Sequence, residues 1–156
     1  MITSLLSTLS AVAVGLMSGL YWAFTVVVMP SLRANDDRSF IAFMQTTNQV
    51  TISIWFLPVF VGSLLLPIAA AIAALLAGDN DDAKRWAIAG AILAAIPVAI
   101  TAGGNAPLNL ALDRAGDVDS IGDPASVRRA FEGPWTRFNL WRTITSTAAL
   151  FALIRA

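Results

Sequence analysis

Four long apolar stretches divide the chain, each bounded by polar residues, proline or glycine. They run over about residues 3–29, 51–77, 86–104 and 136–154. A helix needs about 20 apolar residues to cross the hydrocarbon core of a bilayer, so each reads as a transmembrane span. Residues 31–50 differ. A polar start (Arg33, Asn35, Asp36, Asp37, Arg38) precedes Phe40, Phe43 and Met44 at helical spacing. This predicts a short amphipathic helix at the membrane surface, with Asn35 or Asp36 as its cap. Gly78 to Asp82 reads as a tight polar turn. From the end of the third span to about Pro134 the chain carries Asp113, Arg114, Asp117, Asp119, Asp123, Arg128 and Arg129. That predicts a long polar loop, with a short helix from Pro124 to Phe131 capped by Asp123. The expected fold is therefore all-α. It is a four-transmembrane-helix up-down bundle with an amphipathic helix between spans one and two and a long polar loop between spans three and four, forming one integral membrane domain over residues 1–156.

Proline and glycine refine this picture. Pro30 is expected to end the first helix, and Pro58 and Pro67 to kink the second, because proline lacks a backbone donor. Gly15 and Gly19 form a small-residue seam that lets another helix approach closely. An intramolecular contact is the first expectation there, and a homodimer the sharper one. Gly90, Ala91, Ala94 and Ala95 imply tight contacts for the third span. No Lys or Arg precedes Arg33, so the first stretch reads as a retained span and not a signal peptide.

Composition agrees and excludes much chemistry. Hydrophobic residues make up 57% of the chain and charged residues 13%. Soluble domains run to about 45–50% and about 25%. With ten basic and ten acidic groups and no basic patch, nothing points to nucleic acid. There is no cysteine and no histidine, which removes thiolate chemistry, the commonest metal ligand and the usual general base. No metal and no cofactor is expected. Loops one and three carry Arg33, Arg38, Arg114, Arg128, Arg129 and Arg137, against Lys84, Arg85 and Arg155 on the other side. The positive-inside rule then puts those loops in the cytoplasm and both termini outside, in a bacterial plasma membrane.

An up-down bundle carries the polar residues of all four spans to one membrane face. Tyr21 and Thr25 lie toward the end of span one, and Gln45 and Asn48 precede span two. Asn105 and Asn109 follow span three. Trp135, Asn139 and Arg142 open span four at spacing i, i+4, i+7, on one helix face. A charged side chain at the bilayer centre costs about 2.5–3.5 kcal/mol, and no carboxylate on the spans can neutralise Arg142. Asp113 or Glu132 from the third loop could do so, and so could an anionic or enolate-like ligand. The four candidate catalytic residues are Arg142, Asn139, Asn109 and Asn105. Trp135, Tyr21, Gln45 and Asn48 are the candidate substrate contacts. The bland alternative is that the amides only glue the bundle, at about 0.6–2 kcal/mol per bond.

At these residues the chain resembles the small membrane proteins similar to anthrone oxygenases. The carriers are Asn105-x-Pro107-x-Asn109 and Trp135-x-x-x-Asn139-x-x-Arg142, with weaker matches at Tyr21, Met29-Pro30 and Gln45. The resemblance implies a four-helix membrane fold and oxidation of a polyketide anthrone to an anthraquinone by dioxygen, without a cofactor. The candidate base is Asp113, Glu132 or Tyr21. The expected partners are the bilayer and an apolar aromatic small molecule or lipid. A non-catalytic membrane subunit, or a lipid- or quinone-binding module, is the alternative reading.

Overall fold

A computed structural model describes residues 2–78 and 80–156. The predicted turn at Gly78 to Asp82 includes Asp79, which lies outside them. Among the described residues the chain is helical, with no strand. Five helices follow one another: α1 (Ile2–Arg33), α2 (Asp37–Val50), α3 (Phe56–Ala77), α4 (Asp81–Arg114) and α5 (Pro124–Arg155). α1, α3 and α4 are long and apolar enough to cross a membrane.

The long helices pack as a ring. α1 contacts α3 and α5, and α4 contacts the same two. The packing is inside-out relative to a soluble bundle. Small residues such as Ala70, Ala74, Ala94, Ala149, Ser10 and Ser146 fill the interior, while Leu5, Leu16, Leu65, Ile72, Ile92 and Phe151 face outward. Lipid already solvates large aliphatic side chains, so close backbone approach through small residues supplies the packing. At Gly90 a β-carbon would sit 2.7 Å from Leu153 Cδ2. The Gly15/Gly19 seam is looser: Gly15 faces Leu150 at 3.7 Å, and nothing lies within 4 Å of Gly19.

Two expectations are corrected. Pro30 does not end α1, and the third span does not give way to a loop at Gly103. Both helices pass through their prolines by a π turn, Phe24–Val28 in α1 and Thr101–Asn105 in α4. In each, the residue just before the proline closes the wide turn, Met29 N–H bonding Phe24 O and Ala106 N–H bonding Thr101 O. Proline's ring collides with the carbonyl four residues back in a regular α-helix. An i to i+5 turn ahead of it shifts that carbonyl and lets the helix continue. π turns of this kind gather at functional sites.

The long polar loop between spans three and four shrinks for a related reason. α4 runs on to Arg114, and α5 starts at Pro124 and passes through Pro134 without interruption. Only residues 115–123 connect them, including a 3-10 turn at Val118–Ser120. α2 is the predicted amphipathic helix. Asp36 caps it by accepting from Ser39 N–H, and Asp123 caps α5 by accepting from Ser126 N–H. Pro58 falls in the first turn of α3, where no intrahelical donor is missed, while Pro67 lies inside it.

These extensions form a head on the bundle, with its own core of Met29, Leu32, Phe40, Met44, Leu112 and Phe131. Arg128 joins its parts: it bonds Glu132 at 2.8 Å, Asp37 at 3.0 Å and the Asn35 carbonyl at 2.8 Å. Arg33 reaches the same Glu132 at 2.9 Å. Burial alone would raise the Glu132 carboxyl, but hydrogen bonds and charge from the two arginines outweigh it and hold the group below its ordinary value.

Candidate functional site

The two π turns lie beside α5, where Asn139 and Arg142 emerge, and each presents a threonine to them. Thr25 Oγ1 accepts from Asn139 Nδ2 at 2.9 Å. Thr101 Oγ1 accepts from Arg142 Nη1 at 3.3 Å while donating to the Pro97 carbonyl at 2.8 Å. Asn139 is 1% exposed and fully committed. Its Nδ2 also donates to the Tyr21 carbonyl at 2.9 Å, and its Oδ1 accepts from Arg142 Nη2 at 2.8 Å. Thr143 extends the cluster through Thr25 at 2.9 Å.

Arg142 is 7% exposed. Among the described residues no carboxylate pairs with it. Its guanidinium lies over the Tyr21 ring at 4.5 Å and near the Trp135 ring at 5.3 Å, and its Nε has no protein partner. Neither carboxylate expected to neutralise it does so. Glu132 is held by Arg33 and Arg128, and Asp113 accepts from Asn48 Nδ2 at 3.0 Å.

These residues border a cavity of about 360 Å³, within the size range of small-molecule pockets. Tyr21, Asn48, Asn109, Trp135, Asn139 and Arg142 all line it. Asp113 lies at its outer end and also borders a separate polar cavity beside Gln45 and Gln49. The remaining wall is mostly apolar and aromatic, including Phe24, Phe56 and Phe60. Trp135 is fixed on both sides: Nε1–H donates to Asn109 Oδ1 at 2.9 Å, and its ring meets Phe24 at 5.5 Å.

Two of the sequence candidates lie outside this cavity. Asn105 is buried behind Trp135 and donates to its carbonyl at 3.3 Å. The π turn at Thr101–Asn105 holds it there, because the widened turn rotates Asn105 relative to its place in a regular helix. Gln45 donates to the Leu112 and Gly116 carbonyls at 3.0 and 2.9 Å, tying α2 to the end of α4. It is drawn that way because α4 continues past its proline and brings those carbonyls within reach. Thr101, Phe24 and Thr143 escaped the sequence reading. For the first two the only signal is a threonine or phenylalanine six residues ahead of a proline within an apolar run.

Arranged like this, the site can do two things. A flat apolar molecule fits among the aromatic walls, and an oxygen carrying negative charge can be met by an arginine with spare donor capacity. No curated protein and no solved structure matches the chain at a significant level. Residues 55–152 match the family described as anthrone oxygenase, a span that contains Asn105, Asn109, Trp135, Asn139 and Arg142. With most of its length and the centre of the cavity inside that match, the chain belongs to the anthrone oxygenase family.

Proposed function

We propose that this membrane protein is a cofactor-independent oxygenase that converts a flat phenolic ketone of the anthrone type into its quinone. The observation that carries the reading is Arg142, a buried cation without a carboxylate, at the wall of an apolar cavity. Burying such a charge is costly unless something completes its environment. An enolate oxygen would do so, and would be stabilised most as its charge develops.

The chemistry balances with dioxygen as the only oxidant. A base removes one proton from the methylene between the two aryl rings, and the charge moves to the ring oxygen beside Arg142. The anion passes one electron to dioxygen, and the resulting radical and superoxide join at the same carbon. The peroxide takes a proton back. Loss of water then carries off the remaining methylene hydrogen and one oxygen atom, and the other oxygen becomes the new carbonyl. Asp113 is the favoured base. Among the described residues it is the one carboxylate on this cavity, Asn48 donates to it, and it also borders the polar cavity through which a proton can reach solvent.

The same reading makes α5 a fourth span of an up-down bundle. Asn139, Arg142, Thr143 and Ser146 are buried, and Thr143, Thr145 and Thr147 bond back to carbonyls of their own helix. Leu140, Trp141, Ile144, Phe151 and Ile154 face outward. At about 1.5 Å per residue, Arg142 is then about 20 Å from Arg155 and about 10 Å below the head face of a core about 30 Å thick. The arginine-rich head would face the cytoplasm.

The test is oxygen uptake by protein in phosphatidylcholine vesicles supplied with anthrone. One dioxygen should disappear per quinone formed, unaffected by a metal chelator. Uptake no faster than in protein-free vesicles would end the oxygenase reading. A quinone-holding subunit would bind the product and leave dioxygen untouched.

A further inference from the structure

A second cavity, of about 650 Å³, opens on the outer side of the first, between α1, the amphipathic α2 and the start of α3. The two share the wall residues Leu20, Phe24, Thr47, Thr51 and Phe56, so they adjoin across these side chains. The outer cavity is bordered on its own by Phe43, Val50, Ser53 and Trp55, while Ala42 and Thr46 border both it and the polar cavity beside Gln45. Its charged residues number none, whereas Asp113 and Asp117 border the polar cavity beside Gln45. From the oxygenase reading, on which this step rests, we infer that this outer cavity is a lateral portal, through which the apolar substrate passes from the bilayer to Arg142.

Three observations favour a route from lipid over one from water. The first is the shared wall. An apolar path runs without a charged break from the outer face of α2 to the Phe24 ring, which itself packs on Trp135. The second is the rim. Residues 51–55 leave regular helix between α2 and α3 and expose Ile52 at 79%, Ile54 at 76% and Trp55 at 84%. A tryptophan and two isoleucines so exposed fit the interfacial zone of a bilayer. The third is aromatic surface. The other strongly exposed tryptophans, Trp22 and Trp141, adjoin Tyr21 and Arg142 in sequence. Outward indoles at these positions put aromatic surface on the lipid side of the cavity, where a flat aromatic dissolved in lipid can stack.

The closing geometry is also present. Phe56 stacks on Phe60 at 5.7 Å and stands in the wall common to both cavities.

The experiment measures entry and exit rates of anthraquinone, the product-class probe, by stopped-flow quenching of tryptophan fluorescence in vesicles. Val50→Trp narrows the portal and lines neither the Arg142 cavity nor the polar one. Both rates should fall about tenfold with their ratio, and so the affinity, unchanged, because a barrier on the path slows passage in both directions alike. Folding is controlled with Ser53→Cys, also confined to the portal, a unique thiol in a chain that has no other cysteine. Capping it with a benzyl thiosulfonate after reconstitution should reproduce the slowing, and uncapping with reductant, removed before the assay, should reverse it. Wild-type rates in both blocked proteins would overturn the portal and assign entry to the polar cavity, leaving the oxygenase reading in place. An unblocked protein that binds no anthraquinone and oxidises no anthrone would take down the oxygenase reading, and the portal with it.

Discussion

Arg142→Met separates a structural arginine from a functional one. Methionine keeps most of the reach of the side chain and removes the charge. The losses are the bond to Asn139 Oδ1, about 1.5–3 kcal/mol for a charged donor, and the contacts with the Tyr21 and Trp135 rings, about 0.5–2 kcal/mol each. Asn139 Oδ1 is also left without its donor, which costs about 1–3 kcal/mol. Against this stand the relief of a buried charge, up to about 2.5–3.5 kcal/mol at the bilayer centre and less at the depth of Arg142, and the apolar surface that methionine adds. The losses, about 3.5–10 kcal/mol with the weaker bond to Thr101 left out, outweigh a gain of a few, so the variant should be destabilised by about 2–3 kcal/mol and still fold. Turnover should not survive. Losing a donor to a developing oxyanion costs about 10²–10³ in kcat. Thermal unfolding followed by far-ultraviolet circular dichroism gives the first quantity, and oxygen uptake with anthrone gives the second. A variant that unfolds outright, with activity falling only as its folded fraction falls, would make Arg142 structural. A folded variant with wild-type kcat would remove it from the chemistry altogether.

Other expectations rest on single contacts. Asp113→Asn keeps the bond to Asn48 available and removes the base, so kcat should drop by about 10²–10⁴ while KM changes little; unaltered kcat would shift the proton to another acceptor. Gly90→Ala drives a β-carbon to 2.7 Å from Leu153 Cδ2 and should destabilise by about 1–3 kcal/mol. Gly19→Ala meets nothing within 4 Å and should be neutral or stabilising by up to about 1 kcal/mol, read from the same thermal unfolding; a loss at Gly19 would reveal a partner on that face. Glu132 is held below its ordinary value near 4.5, so what it adds to the head is complete above that pH and is lost as pH falls through the lower folded value. Near-ultraviolet circular dichroism should therefore show the head loosening on acidification, and Glu132→Gln should flatten that response.

How far the sequence reached is clearest where helix meets proline. Three of the spans were legible because lipid demands long apolar runs whatever the neighbours are. The caps at Asp36 and Asp123 were legible because capping is settled within three residues. Trp135, Asn139 and Arg142 were legible as one face because α5 is regular through them and their spacing carries directly into space. Pro30 was misread as a stop, and the third span was ended near residue 104 ahead of Pro107, since whether a helix ends or widens near proline depends on what packs beside it. The head was misread as a loop for a similar reason. Its charged residues look solvated in the chain, yet Arg128 and Glu132 are drawn in by partners about 90 residues or more distant, as with Arg33 and Asp37.

Local chemistry, then, settled by itself what does not need a distant neighbour: a helical membrane protein, the ends of several helices, and a cation on the fourth long helix with no acid beside it on that helix. Tertiary packing alone decided where that cation looks. Two widened turns, in helices about 75 residues apart in sequence, bring Thr101 to it and Thr25 to its neighbour Asn139, and the second carries Asn105 away. Helical periodicity can be read along a chain because it repeats at 3.6 residues per turn. A one-residue slip in that period has no signature of its own, because its benefit is collected only where another helix stands ready to receive the side chains it redirects.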